Sequence, residues 1–317
     1  MKIRSNSGFT LVELLVAIAL GLVILAGLFQ TFRTQHDTYI VQDQVAAMQQ
    51  NLRAAMYLIH RDLQMAGWYT NFDRNNRDID LDDLDERIGR PLLFSVDNYA
   101  SGDNVVRDGT DALVIVKAGN ENRPLAGGEL ASGNSITLSN RNLGGSTGVD
   151  LNNGSKKYGL LVKSDLRAAD LFVVDSASGT ITNPWSLNEN YLQGDLVFRA
   201  DIIMYKVNND ANGRPTLYRR NLGNDNNYQT VAENIDNMQV SYQLNDGSWV
   251  NTLTPANQAL VRAVEVTLVG RTAHPQRGYT DTSTYTFTND PAASYTPNDP
   301  FRRKALSTTV KTRNVGL

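Results

Sequence analysis

Apolar residues fall into two different patterns over the first 68 residues, and both patterns predict α-helix. From Phe9 to Phe29 they form a nearly unbroken run of 21 residues that contains one carboxylate, Glu13. As a helix this run would span about 31 Å, enough to cross the roughly 30 Å hydrocarbon core of a bilayer. We therefore expect a single membrane-spanning helix in this stretch.

From Gln30 onward the apolar residues recur at spacings of three and four, which predicts an amphipathic helix. No proline occurs before Pro91, and Gly67 is a suitable C-terminal stop. We predict one helix of more than 50 residues, whose second half ends near Trp68 and packs on a domain. The residues expected to pack are Val41, Val45, Met48, Leu52, Met56, Ile59 and Leu63.

After Asp103 the pattern changes to short β-rich runs between Gly, Asn and Asp turns, which is typical of an antiparallel sheet. Residues 119–154 and 289–299 are expected to be irregular, because the first is rich in Gly, Asn and Ser and the second holds two prolines. The predicted strands are Ala112–Lys117, Ser135–Leu138, Gly159–Lys163, Leu171–Val174, Ile202–Val207, Thr216–Arg220, Met238–Leu244, Ala263–Val269, Thr284–Thr288 and Ser307–Thr312.

These patterns together predict an α+β fold, in which a long N-terminal α-helix packs on an antiparallel β-sheet domain with long loop insertions. The predicted division is a leader at 1–8, a transmembrane half of the helix at 9–30, an amphipathic half at 31–68 and a β-rich globular domain at 69–317. Lys2 and Arg4 precede the apolar run, and the next basic residue is Arg33. This asymmetry keeps the N-terminus cytoplasmic and sends the rest of the chain across the membrane.

The start of the apolar run carries two unusual features. The expected cut lies before the run, at Gly8/Phe9, whereas an ordinary secretory signal is cut after its apolar core. A lone carboxylate such as Glu13 costs about 2.5–3.5 kcal/mol at membrane depth and is functional by default. A cut after Gly8 would give Phe9 a free amine one helical turn from Glu13. The alternative is a plain signal anchor whose Glu13 reaches the headgroups.

Small residues on the same run suggest a contact site for another helix. Ala17 and Gly21 form a small-xxx-small pair, a pattern that allows close helix packing in membranes. The alternative is that the helix accommodates Gly21 and Gly27 without any role for them in helix contacts.

The charge and the absence of cysteine exclude several classes of function. The net charge is −3, and loss of Lys2 and Arg4 with the leader would take it to −3 − 2 = −5. With no basic run, this balance argues against nucleic acid as the main partner. The chain has no cysteine, which excludes disulfides, thiolate zinc sites and cysteine nucleophiles. Stabilisation of the C-terminal region must then be non-covalent, or ionic through calcium.

Motifs for catalysis do not have the context that they need. Ser146 lies in a literal G-x-S-x-G match, but turn-like residues follow it instead of the helix that a nucleophile elbow requires. His36, His60 and His274 are the three histidines, and none belongs to a metal-binding motif. We therefore predict no catalytic site and no enzyme activity.

Two segments are rich in the oxygen-bearing side chains that bind cations such as calcium. The acidic stretch 68–90 is better explained as a solvated charge run, with one short helix expected around Leu81–Ile88. Residues 208–213 resemble the first half of an EF-hand loop, but Arg219 occupies the twelfth position, where a glutamate is required. A β-hairpin turn explains them better. The sequence predicts no cofactor. The alternative is a structural calcium ion.

The segment Gly8-Phe9-Thr10-Leu11-Val12-Glu13 resembles the class III signal of type IV prepilins and type II secretion pseudopilins. The resemblance implies cleavage after Gly8 by a membrane prepilin peptidase and N-methylation of Phe9. It also implies that Glu13 pairs with the N-terminal amine of a neighbouring subunit during filament assembly.

Later segments resemble the large minor pilins of the PilW type. They are Gly109-Thr110-Asp111-Ala112-Leu113, Asp195 with the hairpin that follows, Val231–Tyr242, Val261–Val266 and the terminal stretch from Arg302 to Asn314. Many type IV pilins carry a disulfide in the globular domain, and this chain departs from that pattern.

The PilW resemblance implies a non-enzymatic subunit that initiates pilus assembly at or near the filament tip and supports adhesion or twitching motility. The implied partners are other minor pilins and the major pilin through their N-terminal helices, the prepilin peptidase/methyltransferase, the inner-membrane assembly platform and a tip adhesin. The implied location is the inner membrane with the C-terminal domain in the periplasm, and then the surface pilus.

Three other functions remain open. The chain also resembles the J-type minor pseudopilin of type II secretion systems. A pilus-tip adhesin or ligand-binding subunit would use the segments 119–154 and 289–299. A membrane-anchored hydrolase that uses Ser146 is the least favoured.

Overall fold

The computed structural model describes residues 10–67, 78–79, 88–89, 93–96, 106–139, 157–174, 180–182, 186–222, 225–254, 257, 260–287 and 290–312. The chain divides into two compact units, residues 1–47 and 48–317. The predicted cut site at Gly8 and Phe9, Ser146 and most of the acidic stretch 68–90 lie outside the described residues.

A single α-helix, α1, runs from Leu11 to Gln64 and contains 54 residues. This confirms the prediction of one helix of more than 50 residues. A turn follows the helix and ends at Gly67, which has a φ of +73° and donates its N–H to the carbonyl of Val116 at 3.0 Å. Glycine adopts this left-handed conformation without a steric penalty, which explains the stop.

All strand pairs in the described part of the chain are antiparallel. The strands are β1 (Asp78–Ile79), β2 (Ile88–Gly89), β3 (Leu93–Val96), β4 (Ala112–Pro124), β5 (Leu130–Ser132), β6 (Ser135–Thr137), β7 (Lys157–Val162), β8 (Ala169–Val174), β9 (Thr180–Thr182), β10 (Leu196–Asn209), β11 (Pro215–Asn221), β12 (Asp225–Glu233), β13 (Ile235–Leu244), β14 (Trp249–Val250), β15 (Val261–Arg271), β16 (Tyr285–Phe287), β17 (Asp290–Tyr295) and β18 (Arg303–Lys311).

Two large sheets dominate the second unit. One has seven described strands in the order β12-β11-β10-β4-β3, with β7 pairing with both β10 and β8. The other has the order β14-β13-β15-β18, and the smaller sheets are β5-β6-β9, β1-β2 and β16-β17. The predicted α+β class, a long helix followed by antiparallel sheet, is confirmed.

The longest strand, β10, lies at the centre of the larger sheet and is buried along most of its length. Phe198, Ile202 and Met204 join side chains of β4, β7 and β8 in one apolar cluster. Since side chains alternate across a strand, Tyr205 faces the opposite side, where it contacts α1.

The chain passes from the larger sheet to the smaller one through one residue, Asn234, which separates β12 from β13. Asn234 has a φ of +60°, a left-handed conformation that asparagine tolerates better than most residues. Its carbonyl accepts the N–H of Arg271 at 2.9 Å. The corner between the sheets is therefore fixed to a neighbouring strand.

Each of the ten predicted strands overlaps a strand of the structure. The hairpin predicted around residues 208–213 is confirmed, because β10 and β11 pair from Ile203↔Asn221 to Asn209↔Pro215. Asp210 fixes this turn by accepting the N–H groups of Asn212 and Arg214 at 2.8 Å. The turn is built from hydrogen bonds within the loop.

Several predictions of irregular structure are wrong. In the segment 119–154, β4 continues to Pro124 and β5 follows, because the end of β4 pairs with the start of β10. The segment 289–299 contains β17 despite its prolines, which is possible because β17 belongs to a two-stranded ribbon, where a residue can leave its N–H unpaired. Of the short helix predicted around Leu81–Ile88, only Ile88 is among the described residues, and it forms a strand pair with Ile79.

The polar strand β12 was absent from the predicted strands. Its sequence, Asp225 to Glu233, has few apolar residues and reads as a turn. It forms at the edge of the larger sheet, where pairing with β11 supplies the backbone hydrogen bonds and only one neighbour is needed.

Candidate functional site: the N-terminal helix and its attachment

The first turn of α1 is closed by a reciprocal capping arrangement. Thr10 precedes the helix, and its N–H and its hydroxyl donate to Oε2 of Glu13 at 2.9 and 3.0 Å. The N–H of Glu13 approaches the hydroxyl oxygen of Thr10 at 3.3 Å. This is the capping box that T-x-x-E sequences form. Glu13 therefore already has partners within its own chain.

The apolar part of α1 is exposed in the isolated chain. It contains an 18-residue window that is apolar enough to cross a membrane, and none of that window is buried. Its exposed large side chains are Leu11, Val12, Leu14, Leu15, Val16, Ile18, Leu20, Leu22, Val23, Ile24, Leu25, Leu28 and Phe29. Exposed apolar surface of this extent marks a membrane or protein interaction site.

The structure places the small-residue pair on this same surface. Ala17 is exposed and Gly21 is half-buried. A Cβ atom at Gly21 or Gly27 would meet nothing within 4 Å. Contacts with the residues that the structure describes therefore do not explain why these positions are glycine, and their use as a helix-contact site stays a prediction.

Hydroxyl groups that follow the apolar window are satisfied within the helix. Thr31, Thr34 and Thr38 donate to the carbonyls of Gly27, Gln30 and Thr34 at 2.8 to 3.0 Å. Such bonds spare a polar group the cost of facing an apolar environment without a partner.

In the second unit the other half of α1 is covered by the sheets. Of the residues predicted to pack, the structure buries Met48, Leu52, Met56, Ile59 and Leu63. Val41 and Val45, which belong to the first unit, are half-buried.

Leu52 shows how close the contact with the smaller sheet is. A Cβ atom placed on Gly270 of β15 would lie 2.9 Å from Cγ of Leu52. The adjacent Asn51 donates from Nδ2 to the carbonyl of Glu233, at the end of β12, at 3.3 Å. A glycine in β15 is therefore needed for the helix to reach the sheet.

A buried polar cluster ties the helix to the larger sheet. Asp62 is on the buried face of α1, and its Oδ2 accepts the hydroxyl of Tyr205 at 2.6 Å and Nε of Arg219 at 2.9 Å. Burial and the neighbouring Asp62 carboxylate raise the pKa of the Tyr205 phenol, so it remains a donor. The sequence signal for this cluster is a carboxylate between Ile59 and Leu63 on the apolar stripe, and it was not recognised.

Buried carboxylates also hold the irregular segments of the domain. Glu129 binds the Arg123 guanidinium at 2.6 and 2.8 Å and accepts the N–H groups of Ala126 and Ser139 at 2.7 Å. Asp195 likewise accepts the N–H groups of Ser164 and Leu192 and lies 2.8 Å from Nζ of Lys163.

The start of β4 is fixed in the same manner. Asp111 accepts the N–H of Val240 in β13 at 2.7 Å, next to Gly109, which has a φ of +73°. Gly109, Asp111 and Asp195 are residues of the segments that resemble PilW-type proteins. These contacts explain in structural terms why these residue types occur at these positions.

A network of ion pairs connects the C-terminal strand β18 to other parts of the domain. Arg303 of β18 lies 2.6 Å from both Asp236 and Asp299 and 3.5 Å from Asp281. Arg107 binds the other oxygen of Asp236 at 2.5 Å. Hydrogen bonds from Arg303 lower the pKa of Asp299. In a chain without cysteine, these contacts stabilise the C-terminal region without a disulfide.

Residues that were considered for chemistry are not brought together. His36 and His60 lie on α1 in different units, and His274 lies on an exposed turn. Within the described ranges, no group of three His, Cys, Asp or Glu side chains is placed to hold a metal ion. Arg219, at the position where an EF-hand needs a glutamate, binds Asp62 instead.

Two family models match this chain. The model of the prokaryotic N-terminal methylation motif matches residues 3–29, which include Thr10, Glu13, Ala17 and Gly21. The model of the type IV pilus-assembly protein W matches residues 204–314, which include Tyr205, Arg219 and the Arg303 network. Together the two matches support a type IV pilus minor pilin of the PilW type. Members of this group interact with other pilus components.

A search of the curated proteins found no match to this PilW-type chain. Among solved structures, it is similar to a type IV-like pilin from Thermus thermophilus, with 14% sequence identity and a TM-score of 0.40. The alignment covers 84% of this chain and 98% of the other.

Proposed function

We propose that this minor pilin initiates assembly of a type IV pilus at or near the filament tip and thereby supports adhesion or twitching motility. It acts as a structural subunit, and the first half of α1 is the part that packs into the filament. Before assembly, lipid covers this half, with the second unit in the periplasm. In the filament, the helices of other minor pilins and of the major pilin cover it. The prepilin peptidase/methyltransferase and the assembly platform of the inner membrane act on it between these states.

One observation carries the proposal. The N-terminal half of α1 contains a motif for N-terminal methylation, residues 3–29, and an apolar surface that the described part of the chain leaves exposed. Cleavage after Gly8 would create a charged amine on Phe9 at the start of that surface. Glu13 is the carboxylate of this apolar run, and pairing with a neighbour's amine would neutralise both charges.

Because Glu13 also caps the helix, two substitutions can separate the effect of its charge from the effect of its capping oxygen. Glu13→Gln keeps a side-chain oxygen that caps the helix, since Gln also serves at this position, but it removes the charge. Glu13→Ala removes both. If pairing with an amine is the function, both variants are cut after Gly8 yet assemble poorly. The measurements are the mass of the mature N-terminus and the amount of sheared pili.

The outcome for Glu13→Gln separates the two roles of the carboxylate. Piliation at the wild-type level in Glu13→Gln, with loss in Glu13→Ala, would assign Glu13 a capping role alone. Normal piliation in both variants would contradict any role of Glu13 in assembly.

The J-type pseudopilin of a type II secretion system is the second candidate, since the methylation motif and the exposed apolar helix fit both systems. Deleting the gene distinguishes them, because a minor pilin is required for pili and a pseudopilin for secretion of enzymes into the medium.

A further inference from the structure

The second half of α1 carries an exposed stripe of three residues, Arg53, Tyr57 and Arg61, which is called the Arg–Tyr stripe below. Residues four apart lie one above the other on a helix. Tyr57 is 71% exposed, and both arginines are exposed. Leu52 and Ile59, on the other side of the helix, are buried against the sheets.

The stripe is a positively charged surface on a chain whose net charge is −3. From Met48 to Gln64 the only carboxylate is Asp62, which is buried and already binds Tyr205 and Arg219. Arg61 lies 3.5 Å from the second oxygen of Asp62, but its side chain stays 57% exposed. The guanidinium groups therefore face outward and are suited to an acidic partner.

The composition of the stripe favours a protein interface over a merely soluble face. Tyrosine and arginine are enriched at interfaces and among the residues that contribute most binding energy, whereas lysine and glutamate are depleted. A helix face that serves only solubility typically carries lysine and glutamate. Here an exposed aromatic ring stands between two guanidinium groups.

A membrane surface is the less favoured partner. Tyr57 follows Phe29, the end of the apolar run, by 57 − 29 = 28 residues. At 1.5 Å per residue this is about 42 Å of helix. Attraction to anionic lipid falls off within a Debye length, about 8 Å at physiological salt.

We propose that the Arg–Tyr stripe binds an acidic surface on the neighbouring pilin-like subunit of the assembly. This rests on the proposed function, because the same helix carries the apolar half through which neighbours are expected to pack. Tyr57 supplies the apolar contact, and Arg53 and Arg61 pair with carboxylates on either side of it. The stripe thus selects the subunit that the apolar half alone would not distinguish.

The test uses the full chain in its host, with a photo-crosslinking phenylalanine analogue at position 57. The interface is broken by the double variant Arg53→Glu/Arg61→Glu. The matched control is Arg167→Glu/Arg277→Glu, which makes the same change in charge at two exposed positions elsewhere in the domain. Thermal unfolding of the purified variants checks that each remains folded, as surface substitutions usually do.

We expect the analogue at position 57 to crosslink to a pilin-like subunit within a segment rich in Asp or Glu. The yield should fall about tenfold in the Arg53→Glu/Arg61→Glu variant, because like charges then face each other, and stay unchanged in the control. Replacing the crosslinked acidic residues of the partner by lysine should restore the yield.

Equal yields in the two double variants, an adduct with phospholipid, or an adduct with a protein that is not pilin-like would each overturn the inference. If the wild-type chain is present in sheared filaments while the yields are equal, only this inference fails. If the wild-type chain is absent from filaments and no subunit is crosslinked, the proposed function fails with it.

Discussion

The two halves of α1 differ in what covers their apolar residues. In the first unit, leucines such as Leu22 are exposed along the whole window. In the second unit, Leu52 and Ile59 are buried against the sheets, and Asp62 is bound by two side chains of the larger sheet. The difference indicates that the second half attaches the helix to its domain, while the first half carries apolar surface that the described part of the chain does not bury.

The largest effect is expected at the polar attachment. Asp62→Leu should destabilise the domain by about 3–5 kcal/mol, because the half-buried Arg219 guanidinium loses its buried counterion. Chemical denaturation of the full chain in detergent, followed by tryptophan fluorescence, measures this loss.

A second variant controls for packing at the same place. Asp62→Leu/Arg219→Met should be more stable than Asp62→Leu alone, since no charge is left buried without a partner. If Asp62→Leu instead costs less than about 0.5 kcal/mol, as a surface substitution does, the attachment of the helix does not depend on this cluster.

The same substitution in the two halves sharpens the contrast. Leu52→Ala should cost about 2–5 kcal/mol of domain stability, because it leaves a cavity beneath β15. Leu22→Ala removes an equal number of atoms from an exposed site and should leave unfolding of the domain within about 0.5 kcal/mol of wild type. The denaturation midpoints of the two variants, measured in the same detergent, compare the two losses of stability. Equal losses would show that the two halves are not distinct.

The smallest effect is expected from acid. Because Arg303 lowers the pKa of Asp299 in the folded chain, the stabilisation is fully present above the unfolded value of about 3.9. It is lost as the pH falls through the lower, folded pKa, where Asp299 gains a proton.

Urea midpoints between pH 5 and pH 2 measure this loss in the second unit. Asp299→Asn should be less stable than wild type at pH 5 and should lose less as the pH falls. A variant whose midpoint falls as steeply as that of wild type would mean that Asp299 makes no contribution to acid sensitivity.

The sequence predicted the helix, its length and the strands with a clear apolar pattern, because periodicity records which side chains are buried. It did not predict β12, whose formation depends on pairing with β11 more than on its own composition. Strand β17 was missed because prolines usually interrupt sheets, and the pairing that tolerates them involves residues distant in sequence.

The candidate site was predicted unevenly for a similar reason. Glu13 stood out because a carboxylate is rare in an apolar run. Its bond to Thr10 was not predicted, although the T-x-x-E spacing is typical of a capping box. Asp62 was hidden among the polar residues of an amphipathic helix. Its importance depends on Tyr205 and Arg219, which are 143 and 157 residues away in the chain.

The geometry of the first helical turn has a consequence for the order of events during assembly. Among the described residues, both hydrogen bonds from Thr10 go to Oε2 of Glu13, so the pairing with an amine that is proposed above would use Oε1. Capping and pairing then use different atoms and do not compete. We expect a subunit to join the filament without unwinding its first turn, because the acceptor is already oriented and little conformational entropy remains to be lost.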